Sequence, residues 1–150
     1  MTATFAARWQ DRLHDGFPLL AAMQLQVVGD AGHWQLRAPF SPNRNNHGTA
    51  FGGSLATLAI ITGWMAASLL ADPDCEVVIQ SAHHDYTAPL TGDLVATALP
   101  VPTQAASQFT RAVARQRPAR LEVRVRVQGV DGAVVGEFVG RYVALPVQPI

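Results

Sequence analysis

From Leu55 to Ala71 the chain reads LATLAIITGWMAASLLA, without a single charged side chain. A helix that is apolar on every side cannot leave one face in water, so it crosses a membrane or is enclosed by its own fold. The stretch reaches only the lower limit for a bilayer span, about 17 residues, and it contains Thr57, Thr62, Gly63 and Ser68. A span would also leave the alternating segments around it unexplained. An enclosed helix, and no membrane partner, is therefore expected, together with a sheet large enough to wrap it.

The flanking segments supply that sheet. Thr4 is placed to cap a short helix carrying Phe5, Trp9 and Leu13 on one side, stopped by Gly16 and Pro18. Met23, Leu25 and Val27 alternate with Gln24 and Gln26, Gly29 to Gly32 reads as a turn, and Trp34, Leu36 and Ala38 resume the alternation. Ser41 to Gly53 is a polar, glycine-containing loop leading into the apolar helix, which Asp72-Pro73-Asp74 stops. Val77 to Tyr86 and Asp93 to Leu99 are strand candidates on either side of a turn at Pro89 to Gly92. Thr103 to Gln116 fits a helix at Phe109 and Val113 but is ambiguous, and Pro118 limits any helix there.

The sharpest local pattern lies near the end. Leu121, Val123, Val125 and Val127 alternate with charged or polar residues up to Asp131-Gly132, a preferred central pair for a two-residue hairpin turn. That turn sets Arg126 opposite Glu137 and Glu122 opposite Arg141 on one face, with Val125 opposite Phe138 and Leu121 opposite Tyr142 on the other. A slip of one residue would undo all four pairings. Gly136 and Gly140 on the apolar face would let another element approach, and the buried helix is the expected one. With no repeat or long linker, residues 1–150 are expected to form one α+β domain, an antiparallel sheet curved around one long central helix.

Charged residues make up 15% of the chain, below the usual quarter, so more surface is expected to be hidden than in a monomer. Eleven basic and eleven acidic residues cancel, which argues against nucleic acid as a partner. The single cysteine, Cys75, has no internal disulfide partner, and no zinc-ligand spacing exists. The opening residues lack a basic segment followed by an apolar run, so a cytoplasmic location is the expectation.

Chemistry concentrates where the polar loop meets the apolar helix, at NRNNHGTAFGGSL, Asn43 to Leu55. Gly52 and Gly53 leave backbone N–H groups unobstructed at a helix N-terminus, where the dipole adds about half a positive charge. Such a place suits an anion or a polarised carbonyl oxygen. The alternative is that the two glycines merely permit a tight turn and Ser54 caps the helix.

This loop and helix resemble those of the hotdog-fold thioesterases, in which an Asn precedes a His-Gly-Gly opening the central helix. Phe51-Gly52-Gly53 stands in that place and Asn45 lies six positions earlier. The fuller string, with Gly63-Trp64 and a Tyr-x-x-Pro step from Tyr86 to Pro89, is most similar to the thioesterase domain of YiiD-type proteins. The resemblance implies hydrolysis of an acyl-CoA or acyl-carrier-protein thioester between two subunits of a homodimer or dimer of dimers, with no cofactor beyond the coenzyme A of the substrate. It implies Gly52 and Gly53 as oxyanion donors and Asn45 as the group orienting water or the thioester carbonyl. Many relatives carry an acid where this chain has Ile60, and no acid follows before Asp72. A base must then come from elsewhere, or the domain binds thioesters without turnover.

His47 and the Ser81, His83, Asp85 face of the long strand are the candidate bases, since His83 and Asp85 fall on one side. His83 and His84 point to opposite sides and cannot easily share a metal, so no metal is expected. Arg111 and Arg115, in a run with Arg117 and Arg120, are candidates for coenzyme A phosphates or an acidic carrier protein. Phe51 and Trp64 are candidates to line an acyl channel, with Thr49 and Ser54 beside them at the helix entrance. A hydratase on the same fold would need an acid/base pair at the β-carbon, and no Asp-x4-His string supplies it.

Overall fold

A computed structural model describes residues 2–147. In chain order the elements are α1 (Phe5–Gly16), α2 (Pro18–Ala22), β1 (Gln26–Asp30), β2 (His33–Ala38), a 3-10 turn (Ser41–Asn43), α3 (Gly52–Leu70), β3 (Cys75–Tyr86), β4 (Leu94–Ala98), α4 (Thr103–Ala114), β5 (Ala119–Gly129) and β6 (Val134–Pro146). The six strands form one curved antiparallel sheet in the order β1-β2-β4-β5-β6-β3, around α3. This is the expected α+β hotdog architecture.

The apolar stretch is the core helix. Leu55, Leu58, Ala59, Ile61, Met65 and Ala67 of α3 are buried, and the helix packs on β2, β3, β4, β5 and β6. Its hydroxyls are mostly handled locally: Thr57 and Thr62 donate back to the carbonyls of Gly53 and Leu58 at 2.7 and 2.6 Å. Ser54 does not cap it. The helix starts two residues earlier, with Phe51 in the capping position and no side-chain cap bond. The entry is fixed instead by the backbone: the Phe51 N–H donates to Asn43 O at 2.7 Å and the Ala50 N–H to Leu90 O at 2.8 Å.

The final hairpin keeps the expected register: Arg126 faces Glu137, Glu122 faces Arg141, Val125 faces Phe138 and Leu121 faces Tyr142. The turn differs. It is centred on Val130-Asp131, with Gly132 after it at φ +89°, and one extra residue on β6 near Val135 restores the pairing below. The charged neighbours across the strands do not close into ion pairs; Glu122 instead lies 3.5 Å from Arg124 of its own strand. Gly136 and Gly140 do not admit the helix either. Gly136 makes room for the His84 ring, whose Nε2 lies 2.6 Å from where a Cβ would stand, and Gly140 for the rings of Phe138 and Tyr142. The close approach to α3 occurs on the helix side, at Gly63, over which the Tyr142 hydroxyl passes to donate to Ile60 O at 2.6 Å.

Thr4 caps α1, accepting from the Ala7 N–H at 3.1 Å. α1 ends at Gly16, as expected, and Pro18 then opens a second short helix, α2, as a proline at the first helical position readily does. Met23 and Leu25 are buried but precede β1, because Gln24 at φ +56° turns the chain there. The first hairpin needs only Ala31-Gly32 as its loop. Thr103 to Ala114 is helical, with Phe109 buried.

Candidate functional site

Asn45 organises the loop ahead of α3. Its side-chain oxygen accepts from the N–H groups of His47 at 2.8 Å and Thr49 at 3.1 Å, while its Nδ2 donates to Thr49 Oγ1 at 2.8 Å. The Asn45 N–H donates to Thr49 O at 2.7 Å, so the carboxamide and backbone of one residue close the turn. His47 stands exposed on that turn and Thr49 is half-buried beneath it.

The chain then enters α3 through Phe51. Neither the Gly52 nor the Gly53 N–H has an acceptor among the described residues; the first amides to bond are those of Ser54 and Leu55, both to Phe51 O at 3.0 Å. Gly52 is half-buried and Gly53 exposed, with the Phe51 ring lying over the Gly53 α-carbon. Ser54 is buried in the first helical turn. Gly52 borders an open cleft of about 360 Å³ that is also lined by Ala50, Leu55, Tyr86 and Thr87 to Leu90, and Gly53 follows it at the surface. Two unpaired N–H groups at a helix start, one of them beside a cleft, can hold a developing oxyanion.

The strand β3 brings different side chains to this place than strict alternation implies. It bulges at Gln80: Ile79 pairs with Tyr142, and Ser81 with Arg141. Cys75, Val77 and Ile79 share the inner face with Tyr142, but beyond the bulge the inner residues are Ala82, His84 and Tyr86, opposite Gly140, Phe138 and Gly136. His83 and Asp85 do share a face and are hydrogen-bonded, Nε2 to Oδ1, at 3.0 Å. That face is the outer one, where both side chains are largely exposed. Within this chain they do not meet the Gly52 and Gly53 amides.

His84 and Tyr86 take the inner position. Their rings lie 4.4 Å apart at 33°. The Tyr86 hydroxyl donates to Gly52 O at 3.1 Å, and its ring edge would lie 3.3 Å from a Cβ on Gly52. Both His84 ring nitrogens are buried with no partner among the described residues, and burial pushes the imidazole below its usual range. Neither residue stood among the catalytic or binding candidates, although the Tyr-x-x-Pro step was conspicuous. The bulge that turns His84 inward leaves no mark in the sequence.

Trp64 lies three turns along α3, so about 18 Å from the glycine amides. Its Nε1 donates to Val77 O at 2.7 Å, and its ring meets Trp9 and Phe17 edge-on at 6.3 and 5.2 Å. It lines a second cleft, of about 580 Å³, with Trp9, Arg12, Ser68, Leu69 and Val77 among the walls. The Ser68 hydroxyl is buried there without a partner among the described residues. Arg111 and Arg115 are exposed at the C-terminal end of α4, where Val113 and the following Gln116 share a cleft with Asp72 and Asp74 just past α3. They therefore stand at the opposite end of the core helix from Gly52. No group of three or more His, Cys, Asp or Glu side chains able to hold a metal occurs among the described residues.

A family model described as "Putative thioesterase (yiiD_Cterm)" matches residues 6–146. Among solved structures, a putative thioesterase from Shewanella oneidensis is 28% identical, with a TM-score of 0.82 over 95% of this chain and 98% of that one. A protein of unknown function from Chlorobaculum tepidum superposes with a TM-score of 0.84 at 23% identity, over 97% and 99% of the two chains. A Bacillus halodurans protein crystallised with CoA shares the fold at a TM-score of 0.73 and 18% identity, over 95% and 88%.

Proposed function

The chain belongs to the family described as "Putative thioesterase (yiiD_Cterm)", and from that premise we propose that it is a cytoplasmic hydrolase of acyl-CoA or acyl-carrier-protein thioesters. The observation that carries the reading is the pair of amides at Gly52 and Gly53, unpartnered among the described residues at the start of an enclosed helix, with Gly52 on the wall of a cleft and Gly53 exposed beside it. An acyl oxygen seated there gains charge as water attacks, and one such donor is worth about 3–4 kcal/mol of barrier. Asn45 shapes the loop and has one Nδ2 hydrogen left to orient water or the carbonyl. The CoA held by the fold relative supports an acyl-CoA in preference to other esters. Coenzyme A enters as part of the substrate, and the scheme needs no cofactor.

The site is completed by a second copy. Among the described residues β3 has β6 on one side and an unpaired edge on the other, with Val78, Ile79 and Tyr86 exposed at 46, 38 and 56%. Antiparallel pairing of two β3 edges sets the Tyr86 end of one beside the Cys75 end of the other. The glycine amides of one chain then face the Trp64 cleft of the second, which takes the acyl group. His83 and Asp85, His47, and the Arg111 and Arg115 pair are left to the rim and to the phosphates or carrier protein.

A second reading, an acyl-thioester binding domain without turnover, is favoured by Ile60 and by the absence of any titratable side chain from Gly52 to Leu70. A thiol-release assay across acyl-CoA and acyl-carrier-protein substrates separates the two. Release from at least one substrate, lowered tenfold or more in Asn45→Ala, is the expected result. Binding without release would establish the second reading, and a monomer by light scattering at micromolar concentration would remove the shared site.

A further inference from the structure

The Tyr86 hydroxyl does not touch an amide donor; it bonds the carbonyl on the other side of one. Gly52 O, its acceptor at 3.1 Å, belongs to the same peptide group as the Gly53 N–H. A hydrogen bond accepted at a peptide oxygen draws electron density from the nitrogen and makes its N–H a stronger donor, because linked hydrogen bonds polarise one another. It also fixes the plane of that peptide. We infer that Tyr86 is a positioning residue that orients and strengthens the Gly53 N–H as an oxyanion donor, an inference resting on the thioester reading above.

The two candidate donors differ in how their peptides are held. The Gly52 N–H shares its peptide with Phe51 O, which accepts from Ser54 and Leu55 at 3.0 Å inside the helix. The Gly53 N–H is the exposed member of the pair, and its peptide reaches out of α3 to a different element, the end of β3. That reach is built in layers. Gly136 lacks the Cβ that would strike His84, the His84 ring lies flat enough to carry Tyr86 at 4.4 Å, and Gly52 lacks the Cβ that would press on the Tyr86 ring. These contacts set the ring so that its hydroxyl oxygen stands at Gly52 O. Because β3 is an edge strand, the same bond ties the donor to the strand on which a second copy would pair.

The test compares the full chain with Tyr86→Phe, which keeps the ring and removes the hydroxyl, and with Tyr86→Leu, which removes both. In Tyr86→Phe the amide resonance of Gly53 should move in a 15N–1H spectrum while that of Gly52 stays in place. With an acyl-CoA substrate, kcat should fall about fivefold with KM within twofold of the parent, and Tyr86→Leu should lose more. A Gly53 resonance unmoved in Tyr86→Phe overturns the inference, as does a rise in KM at unchanged kcat. If the parent chain releases no thiol, the hydrolase reading fails on its own account. The Gly53 resonance then still decides whether Tyr86 acts on that peptide.

Discussion

The two ends of α3 are built to opposite plans. At its N-terminus there is no side-chain cap, two glycines stand in sequence, and their two amides have no partner among the described residues. Towards its C-terminus the helix is clamped: Trp64 bonds Val77 O, meets Trp9 and Phe17 edge-on, and lies with Trp9 under the Arg12 guanidinium at 5.4 and 4.6 Å. One end gives up the local stabilisation of a cap to keep donors available. The other gathers aromatic contacts, so the helix is anchored far from where it is left open. Stability and reactivity are separated along a single rod of nineteen residues.

If that division holds, substitutions at the clamped end should register as stability. Trp64→Ala removes an indole, its hydrogen bond and two ring contacts, and should cost about 3 kcal/mol in urea denaturation. A loss below about 1 kcal/mol would mean the aromatic cluster is not the anchor. Gly63→Ala drives a methyl group into the Tyr142 hydroxyl and should cost about 2 kcal/mol. The smallest effect belongs to the open end and sharpens the contrast through pH. His84 is held below the usual imidazole range by burial, with Asp85 opposing and His83 assisting the shift. As pH falls through about 6.5, the unfolded chain takes up a proton that folded His84 refuses, so stability declines with falling pH. His84→Phe should lack that component of the slope, whereas Trp64→Ala should retain it.

The core helix was legible because a chargeless stretch admits few placements, and the final hairpin because alternation over Leu121 to Val127 fixes which residues face inward. That register survived an incorrect turn: Asp131-Gly132 is not the central pair, but the extra residue on β6 compensates. The glycine amides were legible as bare donors at a helix start. What the sequence hid was the face carried by the second half of β3. Val77, Ile79, Ser81, His83 and Asp85 share a parity, and an unbroken strand would present them together; the bulge at Gln80 sends the last three outward. Distance along α3 was legible, by contrast: once the apolar stretch is one helix, the count from Gly52 to Trp64 alone puts three turns between them.

Gln80 acts as spare length. Removing it would straighten β3 and leave His84 and Tyr86 against Gly136 and Gly52, whereas inserting a residue between Ser81 and Tyr86 would exchange them with His83 and Asp85. The count of residues in one edge strand, more than their identity, thus decides which imidazole lies against Gly136 and Tyr86.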